Sequence, residues 1–332
     1  VEKDHMAYRF TDLLPEDFSD SALRRDVLDG LVDRPKTLPP KWFYDKTGSE
    51  LFEEITRLPE YYPTRSERAI LQANAAGIVS GSGARHLIEL GSGSSEKTRV
   101  LLDQRPGPGS VYTALDVSES ALRQAAEALA VTYPDLVVQA VRADFEQHLA
   151  TVLGDPLTGR GEGGRLVAFL GGTIGNLEPQ ERSVLLAGVR AGLDPGDAFL
   201  LGADLVKSPQ VLLPAYDDAA GVTAAFNLNL LQVLNRRLGA DFDASEFAHR
   251  AVWNSGQARI EMRLRASRRT SVRFADLDLA VEFGEGEEMR TEISSKFTAE
   301  RLEEELGQAG FGPDGWWTDP EGRYSLSLWR PV

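Results

Sequence analysis

Residues 86–98, HLIELGSGSSEKT, constrain this chain more than any other stretch. An apolar run (Leu87, Ile88, Leu90) breaks at Gly91 and Gly93 into small hydroxyl residues, then meets Glu96, Lys97 and a helical pattern. Such a strand, tight turn and helix start is where an α/β sheet receives the polar part of a nucleotide-like ligand. Glycine lets the backbone turn sharply and approach a ligand with no Cβ in the way. The flanking pattern agrees. Strands over 111–115, 137–141, 165–170 and 198–201 alternate with helices over 121–130 and 179–191, the rhythm of a parallel sheet wrapped by helices on both faces.

After Val206 the rhythm changes. An amphipathic helix over 221–238 precedes short alternating strands over 247–253, 259–265, 271–275 and 277–283, expected to form one antiparallel sheet of α+β character. A helix over 299–308 and a terminal strand pair, 315–318 with 323–329, close the chain. Ahead of the glycine turn, a helix over 20–31 starts behind Ser19 as a cap, and another over 66–78 leads into the turn. Between them, residues 36–67 pack prolines and six aromatics (Trp42, Phe43, Tyr44, Phe52, Tyr61, Tyr62) around one short helix, 49–56. Clustered aromatics plug a core, yet rigid loops beside a cofactor domain also carry binding residues.

With 332 residues and 42% apolar content, one large domain or two medium ones can bury a core. No run of about 18 apolar residues and no signal-peptide pattern occur, so a cytoplasmic protein is expected. The opening VEKDHM reads like an expression-vector remnant and is set aside. There is no cysteine, and the four histidines (His5, His86, His148, His249) lack metal-ligand spacing, so no metal is expected. A net charge of −15 argues against nucleic acid and anionic membranes as partners, leaving small-molecule chemistry.

The turn admits NAD or S-adenosylmethionine (SAM). A dinucleotide fingerprint needs a third glycine, G-x-G-x-x-G; here Glu96 follows Gly91-x-Gly93, and a carboxylate at a helix start would repel a pyrophosphate. SAM has no phosphate, and its amino-acid end tolerates acidic neighbours. Asp116, ending the second strand, can accept both ribose hydroxyls. Asp144, after the third strand, can take the adenine amino group while Phe145 packs on the ring. Glu89, Gly91, Ser92 and Gly93 complete the candidate cofactor set, with Lys97 either meeting the SAM carboxylate or facing solvent. A glycine turn followed by acidic ends on the next two strands is the pattern of Rossmann-like SAM-dependent methyltransferases. The match to their motif E/D-x-G-x-G-x-G departs at Ser95, where the third glycine belongs.

LPPKWFYDKTGSELFEEITRLPEYYPTR, IELGSGSSEKT, LGGTIGNL, AYDDAAGVTAAFN and MRTEISSKF together resemble the blocks of one family, the bacterial histidine Nα-methyltransferases of ergothioneine biosynthesis. The resemblance runs from about Ser19 to Trp329. It implies an α/β fold: a class I methyltransferase domain with a mostly parallel seven-stranded sheet (67–204 and 296–332), plus a discontinuous α+β histidine-binding domain (14–66 and 205–295), after a tail at 1–13. It implies SAM as methyl donor, S-adenosyl-L-homocysteine as product, L-histidine as acceptor, and a monomer. Residue by residue, it implies that Tyr61, Asn176 and Tyr216 hold the amino-acid group, with Asn176 facing the amine and Tyr216 the carboxylate. Tyr44 faces the amine from the other side through water, Gly171 and Thr173 belong to the same subsite, Glu292 and Ser294 bind the imidazole, and Phe226 and Met262 pack near the ring.

Glu292 and Ser294 stand two apart on a strand-like segment, so their side chains share a face. A carboxylate and a hydroxyl satisfy both imidazole nitrogens, one accepting from N–H and one donating. Attack of an amine on a sulfonium methyl asks for alignment rather than a strong base, nucleophilic triad or metal. A SAM-dependent N-methyltransferase of another amino acid or amine, and a non-catalytic module that senses SAM or histidine, are the competing readings.

Overall fold

A computed structural model describes residues 8–15, 17–32, 34–93, 95–154 and 163–332. The vector-like opening, with His5, lies outside them. Fourteen strands run in chain order among the described residues. The first seven are β1 (Arg9–Asp12), β2 (Lys36–Thr37), β3 (Ala84–Leu90), β4 (Val111–Asp116), β5 (Val137–Arg142), β6 (Gly164–Phe169) and β7 (Ala198–Asp204). The rest are β8 (Phe247–Asn254), β9 (Arg259–Ala266), β10 (Thr270–Phe274), β11 (Leu279–Phe283), β12 (Glu288–Ser295), β13 (Phe311–Thr318) and β14 (Tyr324–Pro331). The chain divides into two units: Val1–Leu14, Ser66–Leu205 and Phe297–Val332 form one, Pro15–Arg65 and Val206–Lys296 the other.

The first unit is built on one sheet in the order β1-β5-β4-β3-β6-β7-β14-β13. Strands β1 and β3 to β7 run parallel; β14 alone is reversed, antiparallel to both β7 and β13, so β13 points the same way as the parallel set. The central strands are apolar on both faces, as a sheet covered by helices requires. Ile88 and Leu90 of β3 pack with Leu115, Val167 and Phe169 on one side, while Leu87 packs with Ala114, Leu166 and Ala168 on the other. The covering helices start where local chemistry allows. Ser118 caps Glu119–Thr132 through the Ala121 N–H, and Glu178 with Glu181 forms a capping box behind Pro179–Gly192.

Two expectations are corrected here. The sheet has eight strands rather than seven, because residues 9–12, taken as tail, pair parallel to the outer edge of β5. Each open sheet edge offers unpaired backbone groups, and this segment satisfies those of β5. The helix after the glycine turn is a single turn, Arg99–Leu102.

The second unit holds a four-stranded sheet, β2-β12-β9-β8, with β2 parallel to β12 and the other pairs antiparallel. β10 and β11 were expected in the same sheet but form a separate hairpin. Both edges of β9 are already taken, by β8 and β12, so β9 is not open to β10. Helix Val222–Leu238 buries Phe226, Leu230, Leu231, Leu234 and Leu238 in this unit's core. The Asp218 carboxylate caps its start, accepting from the N–H groups of Val222 (3.0 Å) and Thr223 (2.8 Å). Ser19 is not a cap: helix Phe18–Leu31 begins one residue before it, and its hydroxyl instead accepts from Arg237 at 2.8 Å.

Candidate active site

The glycine turn follows β3 at the point where strand order reverses, with β4 on one side of β3 and β6 on the other. That crevice at the carboxyl ends of the strands is the usual ligand position in an open α/β sheet. The turn is tied to β4: Gly91 and Ser92 N–H donate to the Leu115 carbonyl at 2.8 and 3.0 Å, and Gly93 N–H donates to Asp116 Oδ2 at 2.9 Å. Gly91 and Gly93 sit at φ +68° and +50°, and a Cβ on either would meet nothing within 4 Å. Left-handed backbone facing open space is a cradle only glycine leaves free. Ser95, at the position of the missing third glycine, is itself left-handed at φ 53°, and its hydroxyl shares a 2.8 Å hydrogen bond with Tyr112. A serine makes the turn here, and that buried bond offsets its steric penalty.

Ser92 carries the test of what the cradle holds. Its side chain is buried and its hydroxyl has no hydrogen-bond partner among the described residues. Such a group costs about 1–3 kcal/mol, which the polar end of a bound ligand removes. Asp116 stands beside it, Oδ1 accepting from Ser118 N–H at 2.9 Å, and burial pushes its carboxyl above the usual range against the pull of those backbone bonds. Asp144 follows β5, buried, and accepts from Gln147 Nε2 at 3.2 Å. The Phe145 ring meets Phe169 edge-on at 5.5 Å. An open glycine cradle, an unsatisfied hydroxyl and two strand-end carboxylates fit the adenosyl and amino-acid parts of SAM.

Three expectations about the turn change. Glu89 is buried, and its Oε2 accepts from Thr98 Oγ1 (2.5 Å) and Tyr112 OH (2.6 Å); burial pushes this carboxyl up to about 7. Lys97 does not simply face solvent: it forms an ion pair with Glu67, whose side chain is wholly buried. Glu96 is exposed and lies 3.8 Å from Arg68, so its charge is turned to the surface. Selection against a pyrophosphate therefore does not rest on the charge of Glu96.

Glu67 joins parts of this unit that are distant in sequence. Besides Lys97 on Oε2, its Oε1 accepts from Gly171 N–H at 2.7 Å and Tyr324 OH at 2.9 Å. Gly171 opens the loop after β6, Thr173 Oγ1 donates to the Leu170 carbonyl at 3.1 Å, and half-buried Asn176 ends the 3₁₀ turn Thr173–Asn176. Gly171 and Gly172, both at positive φ, turn the chain out of the sheet before it.

The other candidates lie in the second unit. Phe226 sits among Phe43, Phe52 and Tyr44, with ring centroids 4.6, 6.0 and 5.6 Å away. The contacts continue from Phe52 to Tyr61 (6.2 Å) and from Tyr61 to Tyr216 (6.4 Å). The aromatic segment thus divides its work. Trp42 and Phe43 are core, and Tyr62 is buried with its hydroxyl accepting from Lys207 at 2.8 Å. Tyr44 and Tyr61 are more exposed.

On β12, Glu292 pairs across from Met262 of β9 and Ser294 from Ile260, so Met262, Glu292 and Ser294 share one face. Ser294 Oγ lies 2.8 Å from Tyr216 OH, and Lys296 Nζ donates to both, at 2.7 and 2.8 Å. The backbone of Tyr216 is held as well. His249 Nε2–H donates to its carbonyl at 2.8 Å, His249 Nδ1 accepts from Asn227 Nδ2 at 2.9 Å, and Asn227 Oδ1 accepts from Thr291 Oγ1 at 2.7 Å. These bonds need a neutral imidazole, and burial holds His249 below its ordinary pKa.

Glu67 and Lys296 are the residues that the motifs did not single out. Both had a signal. Glu67 falls on the apolar stripe of helix Pro63–Ser82, ahead of Ile70, Leu71 and Ile78. Lys296 continues the alternation Glu292, Ser294 onto the same face.

The chain has named relatives. A histidine N-alpha-methyltransferase from Mycolicibacterium smegmatis is 52% identical over 325 residues, covering 97% of this chain and 99% of its own length. Another so named, from Mycobacterium tuberculosis, is 51% identical over 317 residues, covering 95% and 97%. Ergothioneine biosynthesis protein 1 of Neurospora crassa is 32% identical over 211 residues, covering 62% of this chain and 24% of that protein. A family model described as histidine-specific methyltransferase, SAM-dependent, matches residues 23–331. With nearly its whole length inside that match, and a glycine cradle that fits SAM, the chain belongs to the histidine-specific, SAM-dependent methyltransferases.

Proposed function

We propose that this enzyme transfers three methyl groups from SAM to the α-amine of L-histidine, giving Nα,Nα,Nα-trimethylhistidine (hercynine), the first step of ergothioneine biosynthesis. The relatives of 51–52% identity support the reaction by name. The observation that carries the acceptor is the shared face of β12 and β9, where a carboxylate, a hydroxyl and an apolar side chain (Glu292, Ser294, Met262) stand together. A neutral imidazole needs one acceptor, one donor and an apolar contact for its ring.

In this reading Asp116 accepts from the ribose hydroxyls, Asp144 takes the adenine amine, and Ser92 satisfies its buried hydroxyl on the cofactor's amino-acid end. Bound SAM supplies a methyl group carried on a sulfonium. The protein's own part is alignment. Glu292 and Ser294 fix the ring, Tyr61 and Tyr216 hold the amino-acid group, with Tyr216 at its carboxylate, and Asn176 and Tyr44 turn the amine lone pair toward the methyl, its proton leaving to water. Polar groups around the nitrogen, rather than an apolar cage, leave room for each added methyl.

Glu292→Ala should weaken L-histidine binding roughly 10- to 150-fold, the loss of a charge-assisted hydrogen bond of about 1.5–3 kcal/mol, while SAM affinity changes less than threefold. Titration calorimetry with each ligand measures both. Equal losses for the two ligands would contradict the role given to Glu292.

A further inference from the structure

Lys296 is fully buried, yet none of the roles above uses it. Its Nζ, the Ser294 hydroxyl and the Tyr216 hydroxyl form a triangle with sides of 2.7, 2.8 and 2.8 Å, and Nζ also lies 4.7 Å over the Tyr216 ring. Hydrogen bonding in this triangle follows simple counting. An ammonium donates and never accepts, so each hydroxyl oxygen accepts from Lys296. Each hydroxyl has one proton of its own. If one of them donates to the other, only a single proton remains for a ligand.

We propose that Lys296 is a positioning residue of the acceptor subsite: by donating to both hydroxyl oxygens, it lets Ser294 and Tyr216 turn both of their protons to the substrate. This rests on the reading that Ser294 meets the imidazole and Tyr216 the carboxylate. Ser294 then donates to the ring nitrogen that bears a lone pair, while Glu292 accepts from the ring N–H. Tyr216 donates to the carboxylate with the Lys296 charge behind it, and that polarisation strengthens the bond. In the structure one hydroxyl donates to the other at 2.8 Å; donation from Lys296 to both oxygens frees that proton for the substrate, and without Lys296 the hydroxyls stay bonded to each other and one substrate contact is lost.

Lys296→Met is close in length and removes both donated hydrogen bonds. It should raise the KM for L-histidine roughly 10- to 100-fold, the range expected of charge-assisted hydrogen bonds, with kcat changed less than threefold and SAM affinity unchanged. Histamine, which lacks the carboxylate, should lose less affinity than L-histidine. Lys296→Gln, with a neutral donor, should fall between Met and the native residue. Placed in a Ser294→Ala/Tyr216→Phe background, Lys296→Met should add less than a twofold effect, because its partners are gone; a merely structural lysine would add its full factor. The proposal is overturned if Lys296→Gln binds L-histidine like the native protein, or if Lys296→Met costs the same in both backgrounds. If Ser294→Ala and Tyr216→Phe themselves leave L-histidine affinity unchanged, the subsite reading fails instead.

Discussion

Replacing Glu67 by alanine is expected to destabilise the protein by about 3–5 kcal/mol, the usual consequence of removing one partner from a buried ion pair. The side chain is wholly buried and accepts from Lys97, Gly171 N–H and Tyr324 OH at once. Alanine strands all three donors, and only Lys97, with about a quarter of its side chain accessible, can turn to water. The loop after β6 loses its tether at Gly171, so the variant's residual activity should fall as well. Glu67→Gln keeps an oxygen for Gly171 and Tyr324 and should lose clearly less. Urea unfolding of the three proteins provides the comparison, and a loss below about 1 kcal/mol for alanine would show that the network is dispensable.

The second large effect depends on pH. Glu89 titrates near 7 in the fold because burial outweighs its hydrogen bonds from Thr98 and Tyr112, against an ordinary value of 4.5. The folded state therefore holds this proton more tightly than the unfolded state. The resulting stability is fully present below pH 4.5 and is lost as pH rises through about 7, an effect of roughly 3 kcal/mol. In Glu89→Gln that slope disappears, and the variant should be more stable than the native protein at pH 8 in the absence of SAM. Because SAM is cationic, it favours the ionised carboxyl, so SAM should stabilise the native enzyme more at pH 8 than at pH 6. Thermal melts across that range, with and without SAM, read out both effects. A native melting profile with the same slope as the glutamine variant's would contradict the role of burial at Glu89.

The parts of the site that could be read from sequence are those set by local geometry. Gly91 and Gly93 had to be a turn, because their φ values suit little else. Asp116 followed from its place at the end of an apolar strand. The shared face of Glu292 and Ser294 followed from the two-residue period of a strand. What escaped depends on partners far along the chain. Lys97 looked like a ligand lysine because its partner, Glu67, lies 30 residues earlier on another helix. Glu96 looked decisive from its position in the motif, and only the direction of its side chain shows that it faces the surface. The eighth strand was missed because four residues of tail have little pattern of their own and gain their order from the edge of β5. The hairpin β10–β11 has strand-like alternation, but alternation does not say which edge is free.

Incubating the purified protein with SAM and L-histidine, and following the amino acid by mass spectrometry, tests the central claim most directly. The expected result is stepwise addition of one, two and then three methyl groups to L-histidine, with S-adenosyl-L-homocysteine formed in equal number and other amino acids left unchanged. No mass increase on histidine, or SAM consumed only with a different amino acid or amine, would contradict it.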